Sequence, residues 1–141
     1  MKTITAFATI LMISILLFAC NFYSDKNLGA NYWFWEDGNQ SAIVYGDENS
    51  AQGGFGVIDA NVSQYNFNDK YIIARSNWLT KKGLDTYWII DKEVEIKKDT
   101  SIKAELYERE LKKGLIGPLD KNRFDLFLQE HNINLKLKTA F

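Results

Sequence analysis

Apolar runs and polar breaks alternate along the chain, and the breaks divide it into three regions. The first run, Ala6 to Phe18 (AFATILMISILLF), carries no charge and follows Lys2. A membrane-spanning helix needs about 20 residues, so this shorter run suits the apolar core of a signal peptide. It closes in Leu17-Phe18-Ala19-Cys20, and Asn21, Ser24, Asp25 and Lys26 follow. Residues 1–19 therefore read as a signal peptide, 20–28 as a lipidated cysteine and polar tether, and 29–141 as a single domain.

Within the domain, Tyr32-Trp33-Phe34-Trp35-Glu36 is aromatic and β-prone, and Asp37-Gly38-Asn39 closes it as a turn. Ala42 to Tyr45 forms a second strand, so the two predict a hairpin. Gly46 to Gly54 is rich in turn formers and reads as a loop. Phe55 to Ile58 resumes strand character and extends towards Val62. Beyond the turn Asn68-Asp69, the runs Tyr71 to Arg75 and Thr86 to Asp91 have continuous apolar centres. That pattern predicts strands covered on both faces. Val94-Glu95-Ile96-Lys97 alternates and reads as a half-exposed edge strand.

Helical spacing comes last. Thr100 or Ser101 caps a segment to about Lys113, which Gly114 ends. Ala104, Tyr107 and Leu111 share its inner stripe. Gly117-Pro118-Leu119 reads as a break. A second helix starts at Leu119 or Asp120 and runs to about Glu130, with Phe124, Phe127 and Leu128 inward. Ile133, Leu135 and Leu137 alternate with polar residues, as in a short terminal strand or extended tail. Strands followed by helices predict an α+β fold: an antiparallel sheet of about five strands, with one or two C-terminal helices on one face.

Composition narrows the chemistry. Loss of residues 1–19 removes one charge, Lys2, which leaves 16 basic residues against 18 acidic and a net charge of −2. Such a balance carries no bias towards nucleic acid. Cys20 is the only cysteine, and His131 is the only histidine. With Cys20 committed to lipid no disulfide forms, so the fold rests on packing, for which 122 residues suffice. A zinc site built on histidine and cysteine is excluded.

Leu17-Phe18-Ala19-Cys20 resembles a bacterial lipoprotein signal, with Leu17 at minus three, small Ala19 at minus one and the acceptor Cys20 next. Phe18 departs from the small or β-branched residue usual there. The resemblance implies a diacylglyceryl Cys20 and a protein held on the cell membrane or outer membrane, facing the periplasm or the exterior. The ordered set Val62, Tyr65, Tyr71-Ile72-Ile73-Ala74, Tyr87-Trp88-Ile89-Ile90-Asp91-Lys92, Gly117-Pro118-Leu119 and Phe124 is similar to a family of short bacterial lipoproteins of unknown function. This chain differs by a longer stretch between Lys92 and Gly117. The resemblance implies fold and location, and brings neither a catalytic residue nor a cofactor.

Candidate chemistry is sparse. His131 sits at a predicted helix end, where a cation suits the dipole. Glu36, Asp37, Asp47, Glu48 and Asp59 fall in or near loops of the first half. Glu36, Asp37 and Asp59 are the carboxylates that a carbohydrate-active or calcium-dependent site would use. None has the spacing of a calcium loop. Gly53-Gly54-Phe55-Gly56 lacks the spacing and following helix of a phosphate loop. No catalytic set, metal site or cofactor is expected. The consecutive Tyr32, Trp33, Phe34 and Trp35 are the candidate binding surface, because alternation sends two of the four rings to each face of the strand. A face left uncovered would expose two rings to a partner. The leading expectation is a non-enzymatic domain that binds an envelope or exported protein. A carbohydrate or calcium site and a purely structural envelope role are the alternatives.

Overall fold

The computed structural model describes residues 23–59, 61–77, 85–97 and 104–140. Among these it forms nine strands and two helices. The strands are β1 (Tyr23–Gly29), β2 (Tyr32–Asp37), β3 (Gln40–Asp47), β4 (Ser50–Ile58), β5 (Val62–Phe67), β6 (Tyr71–Ser76), β7 (Thr86–Asp91), β8 (Leu115–Leu119) and β9 (Lys138–Thr139). The helices are α1 (Ala104–Leu111) and α2 (Lys121–Glu130).

The strands make two antiparallel sheets. The first is a meander in the order β1-β2-β3-β4, and the second has the order β8-β7-β6-β5-β9. Tight turns join the meander. Ala30 and Asn31 both take positive φ between β1 and β2 (51° and 65°), and Gly38 does so between β2 and β3 (58°). Paired positive φ is the hairpin geometry that matches strand twist.

The two sheets share one core. Leu28, Tyr32, Phe34, Ile43, Tyr45, Val57 and Ile58 of the first sheet pack with Val62, Tyr65, Ile72, Ala74 and Ile90 of the second, and Leu111 of α1 joins them. Phe34 stacks on Tyr65 across the gap, with ring centroids 4.5 Å apart. Ser41 Oγ donates to the Val62 carbonyl at 2.9 Å and ties β3 to the start of β5. The far face of the second sheet buries Ile73, Tyr87 and Ile89 under Phe124 of α2. Each fully buried Ile or Phe contributes about 1.5–3 kcal/mol. The α+β class thus takes the form of two packed sheets with a helix on the outer side of the second.

Several elements match the sequence pattern. β6 and β7 are interior strands with both faces covered, and Asp120 caps α2 by accepting from the Arg123 amide at 2.8 Å. Others differ. The expected single sheet of about five strands is two sheets, because alternation sets which residues face inward but not which strand is a neighbour. The expected tether 20–28 contains most of β1, which pairs with β2 from Tyr23 to Gly29.

The expected loop from Gly46 to Gly54 is mostly strand, with only Glu48 and Asn49 between β3 and β4. Here glycines serve close approach: a Cβ on Gly46 would stand 2.5 Å from the Ser50 carbonyl oxygen. Strand β4 ends at Ile58 and does not reach Val62, which opens β5. Val94 to Lys97 is not a strand, and β8 holds that edge beside β7 instead. An edge strand accommodates Pro118, which lacks a ladder donor. The start of the first predicted helix, at Thr100 or Ser101, lies outside the described residues, as do residues 1–22.

Candidate functional site

Strand alternation divides the aromatic run. Tyr32 and Phe34 point into the core, where they are 1% and 2% exposed. They are therefore not part of a surface. Trp33 and Trp35 point to the outer face of the first sheet, but Trp33 is itself only 9% exposed. Its indole Nε1 donates to the Asp47 carbonyl at 2.9 Å, and its ring packs with Ala42, Val44 and Ala51. The ring thus holds the β3–β4 hairpin together. Of the four aromatics, Trp35 remains the half-buried one, at the margin of that cluster.

Trp35 borders a groove of about 450 Å³ on this outer face. Ala42, Val44 and Ala51 form the apolar floor, and Gly53, Gly54 and Gly56 of edge strand β4 form one side. Gln52 and Asp59 supply the polar groups. The glycines expected to form a flexible loop are thus part of a strand. Gly56 has a local reason: Asp59 Oδ1 lies 1.5 Å from where its Cβ would stand. The Asp59 side chain folds back over β4 and occupies the space that a side chain at position 56 would fill.

On the other side of Trp35, β1 brings up Asp25, the cross-strand partner of Trp35. Its Oδ1 is buried and makes no hydrogen bond. Trp35 in turn faces Ala42, and the pairing of β3 with β4 ends at Ile43 and Ile58, so Asp59 lies beyond the strand. Asp25, Trp35 and Ala42 lie in one row across β1, β2 and β3, and Asp59 lies just past the end of β4 with its carboxylate over Gly56. Reading 20–28 as a tether hides Asp25 from sequence inspection, and Asp59 appears only as one loop acid among several.

The remaining candidates disperse. Glu36 alternates to the inner side, where it adds to the effect of burial in raising the Tyr65 hydroxyl pKa above its ordinary value. Glu36 and Asp59 therefore stand on opposite faces and do not form a facing acid–base pair. Asp37 is exposed at the end of β2, beside the turn. Asp47 and Glu48 are exposed at the β3–β4 turn. Among the described residues no three His, Cys, Asp or Glu side chains are placed to hold a metal ion. His131 is the C-cap of α2, and its ring stacks on Phe127 at 4.0 Å.

A second, smaller cavity of about 230 Å³ lies at the far end of the sandwich, between the Ala30–Asn31 turn, Lys92 and residues 94–96. Lys92 Nζ donates to the Leu28 carbonyl at 2.8 Å, and burial lowers its pKa. Tyr32 borders this cavity with a buried hydroxyl that has no hydrogen-bond partner. Burial raises that hydroxyl's pKa far above the ordinary tyrosine value, with Tyr45 and Asp91 adding to the shift.

Comparison with protein-family models, with curated proteins and with solved structures finds no match to this chain. Among the described residues no helix is long and apolar enough to cross a membrane.

Proposed function

We propose that this chain is a lipid-anchored protein of the bacterial cell envelope. It acts without catalysis, by binding a protein partner on the outer face of its first sheet. The apolar run ending at Cys20 supports the anchor, and two or three acyl chains on one residue suffice for stable attachment. The similarity to short lipoproteins, carried by the Tyr71 to Ala74 and Tyr87 to Lys92 runs, agrees with that location.

The groove beside Trp35 carries the binding reading. Both helices pack elsewhere: α2 lies on the second sheet, and α1 joins the core between the sheets. The floor of the groove is apolar where a solvated sheet face would be polar. Its glycine-lined side belongs to an edge strand, whose free backbone groups can pair with an extended segment of another protein.

The test is cross-linking in intact envelopes followed by capture of the full-length protein. A partner should be recovered from wild type and lost from Trp35→Ala. Recovery that is indifferent to Trp35 would refute the groove. Metabolic labelling with a palmitate analogue tests the anchor, since label should appear on wild type and vanish from Cys20→Ala. A carbohydrate reading draws on the same groove, because Trp35, Gln52 and Asp59 together offer a ring and two polar groups. Retention of the protein on a neutral glycan matrix, lost in Trp35→Ala, would favour it.

A further inference from the structure

We infer that the cavity between the Ala30–Asn31 turn, Lys92 and residues 94–96 binds a small organic acid, a single carboxylate on a short branched apolar tail. This site is separate from the groove beside Trp35. Three observations lead there. First, Tyr32 lines the cavity, is 1% exposed, and has a hydroxyl with no hydrogen-bond partner among the described residues. A buried donor left unmatched is uncommon in a folded protein and calls for an acceptor. Burial also raises its pKa, so the hydroxyl keeps the proton it would donate to an anion. Second, the half-buried Lys92 lines the same cavity. Among the described residues its ammonium makes no ion pair, and its hydrogen bond goes to the neutral Leu28 carbonyl at 2.8 Å. A cation drawn partly out of water favours a counter-charge. The backbone makes room for it at Gly29, where φ is +85° and a Cβ would stand 3.0 Å from Lys92 Nζ. Third, Val94 and Ile96 are half-buried against the cavity, while Glu95 between them is exposed. The alternation that reads as an edge strand in the sequence builds an apolar wall here.

Charge and size select the ligand. One ammonium and one neutral donor suit one carboxylate. Asp91 acts on Tyr32 through space and Glu95 lines the cavity, so a doubly charged phosphate would meet two carboxylates against Lys92 alone. The volume of about 230 Å³ has room for roughly eight waters, or for an acid of about as many non-hydrogen atoms. Val94, Ile96 and Ala30 offer the apolar surface for its tail. Asn31 and Tyr45 add an amide and a hydroxyl to the lining, 3.4 Å apart.

The probe is sodium 4-methylpentanoate, titrated calorimetrically into the full-length protein in nonionic detergent. Saturable binding is expected, weakened about tenfold in Lys92→Met and about fivefold in Tyr32→Phe. The uncharged 4-methylpentanamide should bind about tenfold more weakly than the acid, and inorganic phosphate should not displace it. Absence of saturable heat, or unchanged affinity in both variants, overturns the site. Equal affinity for the amide overturns the anionic ligand, and displacement by phosphate overturns the choice of a carboxylate. Tighter binding of acetyl-Gly-Gly-Leu than of the acid, lost in Lys92→Met, assigns the site to a chain terminus and overturns the small acid. Tyr32→Phe removes a single oxygen, and its melting temperature verifies that the fold is intact. Its loss of affinity therefore reports on the hydroxyl even where Lys92→Met does not fold.

Discussion

The Asp59 carboxylate occupies the space that a side chain on Gly56 would fill, with Oδ1 1.5 Å from the position of the missing Cβ. Asp59 is exposed and its carboxylate can swing away, so Gly56→Ala should fold. Stability should change by no more than about 1 kcal/mol, since the strand gains a better residue while Asp59 moves. The displaced carboxylate leaves the groove, so recovery of the cross-linked partner should fall in the variant. Thermal melting and partner capture check the two halves.

Trp33 and Trp35 should separate cleanly. Trp33→Ala removes a ring buried among Ala42, Val44 and Ala51 and a hydrogen bond to the Asp47 carbonyl, and should cost about 3–5 kcal/mol. Trp35→Ala removes a half-buried ring and should cost about 1–2 kcal/mol. Denaturant unfolding should rank them in that order, whereas partner capture should depend on Trp35.

Tyr32→Phe should be stabilising below pH 9, by up to about 1 kcal/mol, because it removes a buried hydroxyl with no partner. It should also change the alkaline limb. The Tyr32 hydroxyl keeps its proton in the fold, whereas in the unfolded chain it ionises near pH 10. Above pH 10 the unfolded state therefore binds fewer protons, and stability falls as pH rises. The Phe variant should show a shallower fall, with Tyr65 supplying part of what remains. Lys92 works in the opposite sense just below its ordinary value of 10.5, where the unfolded chain binds more protons than the fold. Melting temperature against pH from 8 to about 11 tests the sign.

Ser76 is fully buried, and its Oγ accepts the Trp88 indole N–H at 2.8 Å. Ser76→Ala leaves that donor unmatched and should destabilise by about 1–3 kcal/mol. Urea unfolding measures it, and an effect within error would mean that the indole finds another acceptor.

What the sequence revealed depended on how each signal is encoded. Tyr71 to Ala74 and Tyr87 to Ile90 announce interior strands through unbroken apolar runs, and Asp120 announces α2 by capping it. Strand β1 is hidden because Ser24, Asp25, Lys26 and Asn27 are polar, and among its described side chains Leu28 is the one in the shared core. Strand β4 is hidden because Gly53, Gly54 and Gly56 resemble a loop until the close pairing of β3 with β4 is seen. The aromatic strand was visible at once, but its inner pair belongs to the core and Trp33 to a hairpin. The candidate site lay out of reach for a further reason. Trp35, Ala51 and Asp59 are far apart in the sequence, and the pairing of the strands brings them to one groove.

Strand β1 also determines where such a site can work. Its first residue, Tyr23, is three positions beyond Cys20 and pairs with Asp37, at the end of the sheet nearest Trp35 and Asp59. A lipid on Cys20 would leave a leash of at most about 11 Å, three residues at about 3.6 Å each. Held that closely, the domain could not search the depth of the envelope for a partner. The groove would open within a few residues' length of the headgroups. Segments that run along the bilayer, such as the membrane-proximal stretch of another envelope protein, would meet it at high local concentration. Soluble proteins farther out would have to come down to the surface to be bound.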